Sequence, residues 1–92
     1  MNCDRTTLLH GMAQLGDRRK ATLLLDRGAA VNAVDEEFRS TPLGLAARWG
    51  HLEMVRFLLE RGADPDAAGA KWATPRAWAA RKGHREIEAL LR

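Results

Sequence analysis

Thr41-Pro42-Leu43-Gly44-Leu45-Ala46-Ala47-Arg48-Trp49-Gly50 decides the fold, because the chain writes it three times. Thr7-Leu8-Leu9-His10-Gly11-Met12-Ala13-Gln14-Leu15-Gly16 stands before it and Thr74-Pro75-Arg76-Ala77-Trp78-Ala79-Ala80-Arg81-Lys82-Gly83 after it. The threonines fall 34 and 33 residues apart, and Gly16, Gly50 and Gly83 repeat those steps. Self-similarity at this period marks supersecondary units that bury their apolar faces only against neighbours. A stack of such units offers an extended surface rather than a catalytic cleft.

Each unit divides at its central glycine. In the second, Pro42 suits a first helical position and Thr41 just before it caps free N–H groups. Gly50 suits the left-handed residue that closes a helix. A second helix is expected from about His51 to Arg61, with Leu52, Val55, Leu58 and Leu59 at helical spacing. Gly62-Ala63-Asp64-Pro65-Asp66 then reads as an extended loop, because Pro65 disfavours helix in the residue before it. Gly28-Ala29-Ala30-Val31-Asn32-Ala33 occupies the same place in the first unit.

The order Thr-Pro-Leu-x-x-Ala-Ala-x-x-Gly-His, then Val-x-x-Leu-Leu, then Gly-Ala-Asp, resembles the ankyrin repeat, nearly throughout from Thr41 to Asp64. The resemblance covers residues 5–92 and implies an all-α solenoid: three helix-turn-helix repeats, six helices, with projecting turns. The repeats run from about 5 to 34, 35 to 67 and 68 to 92 within one domain. Departures from the pattern are specific. Of the signature histidines only His10 survives, with Gly44 and Ala77 replacing the others. Leu8 stands where proline is usual, the first inter-unit turn carries an extra residue, and the glycine expected at its tip is missing. Trp72 stands at the equivalent tip position of the second turn, so the tips are expected to leave the family conformation.

Columns aligned on the central glycines fail at one end each. Lys20, Met54 and Ile87 are polar only in the first unit; Ala21, Val55, Glu88 and Leu25, Leu59, Arg92 turn charged only in the third. Leu9, Leu43, Arg76 loses its apolar residue at the C-terminal end, and Gly11, Leu45, Trp78 at the N-terminal end. Columns that lack a neighbour to pack against should turn polar or small. The expectation is a complete three-repeat stack that carries its own caps. Its core should hold Leu9, Ala13, Leu24, Leu43, Leu45, Ala46, Ala47, Val55, Leu58, Leu59, Trp78, Ala79, Ile87 and Leu90.

Composition narrows the function. In 92 residues, no apolar run approaches the ~20 that span a bilayer, and the N-terminus lacks a secretory pattern. Cys3 is the only cysteine, so no internal disulfide forms, which fits a reducing, cytoplasmic compartment. No Ser-His-Asp grouping, phosphate loop or zinc-ligand spacing occurs, and neither cofactor nor metal is expected. His10, His51 and His84 sit in different units, and the rings of His51 and His84 are expected to bond neighbouring turns.

What remains is a binding surface. The family resemblance implies partners at the turn tips and the exposed ends of the first helices. Carried over by position, this selects Gln14, Leu15, Arg48, Trp49, Arg81 and Lys82, with the tips Glu36, Glu37, Phe38, Arg39, Ser40 and Ala70, Lys71, Trp72, Ala73. The residues set as partner-binding are Leu15, Phe38, Arg39, Arg48, Trp49, Lys71, Trp72, Arg81 and Lys82. Tryptophan and arginine are enriched at binding hot spots. The competing reading is local packing, with Phe38 and Trp72 folded over their own turns and Trp49 lying along Arg48 or Arg81. Trp78 belongs to the core, since its column is apolar in the second unit.

The leading function is a non-enzymatic protein-binding module, an adaptor, inhibitor or small chaperone that docks a protein with an acidic surface on its concave ridge, itself monomeric. Alternatives are a consensus-like stable scaffold without a natural partner, or a weak nucleic-acid binder through Arg39, Arg48, Lys71, Arg81 and Lys82. The formal charge of only +3 and Glu36 and Glu37 on the same ridge argue against nucleic acid.

Overall fold

The computed structural model describes residues 5–35 and 38–91, with side chains from Leu9 onward. Cys3, Glu36, Glu37 and Arg92 lie outside the described residues. Among the described residues six α-helices follow one another: α1 (Arg5–Leu15), α2 (Arg18–Asp26), α3 (Pro42–Trp49), α4 (Leu52–Glu60), α5 (Pro75–Lys82) and α6 (Arg85–Leu90). They form three antiparallel pairs, and the only extended pairing among the described residues is an isolated bridge between Ser40 and Ala68. The first helices make one layer, α1 against α3 and α3 against α5, and each second helix packs on its own first helix.

Helix ends follow the residues. Thr41 Oγ1 accepts the Gly44 N–H at 3.2 Å, and Thr74 Oγ1 accepts the Ala77 N–H at 3.2 Å, each just ahead of a proline at the first helical position. Asp17 caps α2 through the Lys20 N–H at 3.1 Å. Gly16, Gly50 and Gly83 all take positive φ where the first helices stop. At Gly50 two constraints coincide. Its φ is 78°, and a Cβ there would stand 2.7 Å from the His84 ring. Gly50→Ala is therefore expected to cost about 2 kcal/mol, from left-handed strain plus displacement of that ring. A thermal melt indistinguishable from wild type would contradict this.

Histidines lock the joints between units. His51 Nε2–H donates to the Gln14 carbonyl at 2.6 Å, and His84 Nε2–H to the Arg48 carbonyl at 3.2 Å. A carbonyl only accepts, so Nε2 carries the proton in both. His10 Nε2–H reaches the Ala33 carbonyl at 2.9 Å. On the loop side, Arg61 pairs with Asp26 at 2.7 Å, and Asn32 Oδ1 accepts the Asp64 N–H at 2.7 Å.

The core runs through Leu9, Ala13, Leu43, Leu45, Ala46, Ala47, Val55, Leu58, Trp78, Ala79 and Ile87, all buried as expected. The aligned columns behave as faces: Lys20 is exposed while Met54 and Ile87 are buried, and Ala21 and Val55 are buried while Glu88 is only half-buried. Arg76, in the column of Leu9 and Leu43, is exposed and donates to Asp66 at 3.3 Å and to the Leu91 carbonyl at 3.2 Å. Three core assignments are corrected. Leu90 is 39% exposed and Leu91 is buried instead. Leu91 follows Ile87 by four residues and so lies on the same helical face, whereas Leu90 is turned outward. Leu24 and Leu59 pack against the core but stay half-buried.

The two tips differ from one another, as their sequences do. Where the first lacks glycine, Arg39 takes a left-handed φ of 53°. Asp35 holds this loop by accepting the N–H groups of Phe38 (3.1 Å) and Ser40 (3.2 Å). In the second, Trp72 sits inside a 3-10 turn, Lys71–Ala73, and has no positive φ.

Candidate functional site

The expected site residues divide when placed in the fold. Trp49 and Arg48 end α3, Arg81 and Lys82 end α5, Phe38 and Arg39 stand on the first tip, and Lys71 and Trp72 on the second. The structure joins five of them, with Trp78, into one cluster. Phe38 meets Trp49 edge-to-face at 5.7 Å between ring centroids and Trp78 at 6.5 Å. Trp72 meets Trp78 edge-to-face at 6.1 Å. Edge-to-face pairs at this spacing are attractive beyond the area they bury.

Two guanidiniums lie over these rings. That of Arg48 is 4.1 Å from the Trp49 centroid, 4.8 Å from Phe38 and 4.9 Å from Trp78. That of Arg81 is 4.3 Å from Trp78 and 5.9 Å from Trp72. Arg81 Nη2 also donates to the Trp72 carbonyl, which ties the second tip to the end of α5. Each such cation–ring contact contributes roughly 0.5–2 kcal/mol, depending on desolvation.

Beneath the cluster lies Ser40. Its Oγ accepts the Trp78 indole N–H at 2.6 Å, and its own proton faces the carbonyls of Phe38 (2.9 Å) and Ala73 (3.2 Å). Ser40 and Ala73 are thus interior residues, not tip contacts. Sequence reasoning missed this junction; a lone serine before Thr41 carries no signal for it. Phe38 is half-buried, packed on the core beside Trp49 and Trp78.

What stays at the surface is specific. Trp49 is 40% exposed and Trp72 51%, although each touches rings of the cluster. Arg39, Lys71, Arg81 and Lys82 are exposed around them. Leu15, 71% exposed at the end of α1, takes part in none of the ring contacts. Among the described residues no group of His, Cys, Asp and Glu could hold a metal ion, and no helix is long and apolar enough to cross a membrane. A separate depression of about 330 Å³ between Gly50, Leu52 and Gly83–Ile87 seats the joint of the second and third units. It brings no nucleophile and base together.

A family model for ankyrin repeats, in three copies, matches residues 9–92. The chain is 45% identical over 73 residues to the human Ankyrin repeat domain-containing protein 63, covering 79% of this chain and 19% of that protein. It is 44% identical over 69 residues to the Drosophila melanogaster Palmitoyltransferase Hip14, covering 72% and 11%. It is 33% identical over 88 residues to the Rattus norvegicus ARF GTPase-activating protein GIT2, covering 96% and 12%. The chain thus spans a fifth or less of the length of these curated relatives.

Proposed function

The chain belongs to the ankyrin-repeat family, whose stacked repeats mediate protein–protein interaction, and on that premise we propose that it is a non-enzymatic module docking one protein on the ridge of α3, α5 and the two tips. The observation that carries this reading is the half-exposure of Trp49 and Trp72 on either side of a rigid, packed base. Local packing alone accounts for Trp78, which is buried, and for the half-buried Phe38. It leaves unexplained why two large indoles remain open to water amid four exposed cations. Exposed aromatics beside arginine fit a binding patch, and the basic rim favours a partner with an acidic surface. The enzyme names of two relatives belong to proteins that the chain covers by only 11% and 12%, and no reaction is transferred from them.

The test is a pull-down from source cells followed by affinity measurement on the captured protein. Trp49→Ala together with Trp72→Ala should keep the helical CD signal. Affinity should fall by roughly 30-fold or more, the loss expected when hot-spot residues worth about 2 kcal/mol are truncated. Equal affinity after both changes would remove the ridge from the site. Capture of nothing by the wild-type protein favours the partnerless scaffold.

A further inference from the structure

Arg48 departs from every other arginine whose contacts are described. Its guanidinium lies within 4.9 Å of three ring centroids, those of Phe38, Trp49 and Trp78. Its Nε is buried and has no hydrogen-bond acceptor. Elsewhere arginines find oxygen: Arg61 on Asp26, Arg76 on Asp66, Arg81 on the Trp72 carbonyl. No ion pair of Arg48 exists among the described residues. Its backbone is pinned as well, since the Arg48 carbonyl accepts His84 Nε2–H at 3.2 Å. The side chain is held by faces and the main chain by a hydrogen bond, while the in-plane donors are left unmatched.

Resting on the ridge reading above, we propose that Arg48 is a carboxylate receptor, taking an aspartate or glutamate side chain from an acidic segment of the protein partner between Trp49 and Trp72. Three arguments converge. Rings stacked on a guanidinium with a buried Nε leave its planar Nη edge for a planar acceptor, and a carboxylate matches that fork. An aromatic box already filled by its own cation repels a second cation, so lysine-bearing or quaternary ammonium ligands are excluded. The rings withdraw the charge from water and hold it in one place, so an incoming carboxylate meets a stronger field at little ordering cost. Arg39, Lys71, Arg81 and Lys82 around the box attract the remaining acidic residues of the segment.

The probe is an acetylated, amidated octapeptide alternating glutamate and alanine, titrated at roughly 50 mM salt, where screening is weak. The glutamine version of the peptide and a single-stranded oligothymidylate are run beside it. The readout is the NMR resonances of the arginine guanidinium N–H and tryptophan indole N–H groups. The glutamate peptide should shift the Arg48 guanidinium N–H groups and the Trp49 indole, and the glutamine peptide should shift neither. Arg48→Lys keeps the charge but loses the fork, and should weaken peptide binding by about tenfold or more. Arg19→Gln, which removes an exposed cation at the start of α2, should change it less than about twofold. Equal peptide affinity for wild type and Arg48→Lys would overturn the proposal, as would stronger shifts from the oligothymidylate than from the peptide. The resonance shifts are read on wild-type protein, so they hold even where Arg48→Lys folds poorly. Loss of partner binding in the Trp49/Trp72 double variant with full binding by Arg48→Lys would overturn the carboxylate receptor and leave the ridge standing. Full binding by both would remove the ridge too.

Discussion

Leu43→Glu is expected to abolish the folded state. Leu43 is fully buried on α3, the middle helix of the first-helix layer, which packs on α1 on one side and α5 on the other. Truncating a buried leucine costs about 3 kcal/mol, and an unpaired buried carboxylate adds several more. A domain of this size has on the order of 5–10 kcal/mol in total. In a stack, each unit is stable chiefly through its neighbours, so a charge in the middle layer removes both joints at once. The expected result is loss of the cooperative thermal transition by CD and of near-UV signal at 25 °C, a temperature at which wild type is folded. Leu43→Ala supplies the graded control. Its cost of about 3 kcal/mol should lower Tm by roughly 15 °C while the transition stays cooperative. A Leu43→Glu protein that melts like wild type would contradict the stacking arrangement itself.

Leu43 also shows why so much of the fold is readable. Every unit must solve the same problem of covering its face with the next one, so the residues that solve it recur at one period. Thr41-Pro42, Thr74-Pro75 and the glycines at positions 16, 50 and 83 mark helix ends by local chemistry, and all of them stand at helix ends. The same is true of His51 and His84, whose place after the glycine brings each ring onto the preceding unit. The core assignment at Leu90 misses by one residue, although the repeat itself holds there. Near the C-terminus, α6 is six residues long, and face assignment there depends on its register. The expected core residue Leu90 stands in the column of Leu23, which is exposed, and Phe57, which is half-buried, whereas the covered leucine, Leu91, stands in the column of the buried Leu58.

The candidate site is less legible because it is made of exceptions. Substitution at aligned positions located Phe38, Trp49 and Trp72 on the ridge, and the missing glycine flagged the turn where Arg39 takes positive φ. Their mutual arrangement depends on rotamers and on contacts between residues 6 to 40 apart, for which the sequence holds no period. Two consequences follow from that arrangement. Phe38 is half-buried against the core, and the Arg48 guanidinium lies over its ring. Trp78 and Ser40, assigned to the core and to a tip, become the joint that fixes the orientation of the exposed indoles.

Trp78→Ala should therefore damage stability and recognition together. Trp78 is buried and touches Phe38 and Trp72 through its ring, both guanidiniums through its face, and Ser40 Oγ through its indole N–H at 2.6 Å. Removing the ring costs about 3–5 kcal/mol for the cavity. It also leaves the buried Ser40 hydroxyl without its donor, a further ~1 kcal/mol. At about 5 °C per kcal/mol, Tm should fall by roughly 20–30 °C. Trp78→Phe separates the two roles. It keeps an aromatic face under Arg48 and Arg81 but loses the N–H, and should cost only about 1–2 kcal/mol. On the proposed site, Trp49 and Trp72 would act as anchors only while Phe38 and Arg48 hold their positions, and both of these lean on Trp78. Partner affinity should accordingly survive Trp78→Phe within a few-fold and collapse in Trp78→Ala at temperatures where that variant is still folded. If Trp78→Ala bound its partner as wild type does, the exposed tryptophans would be acting independently of the cluster beneath them. Rigidity of the base would then have no part in recognition, and the small half-exposed surfaces of Trp49 and Trp72 would have to carry the affinity alone.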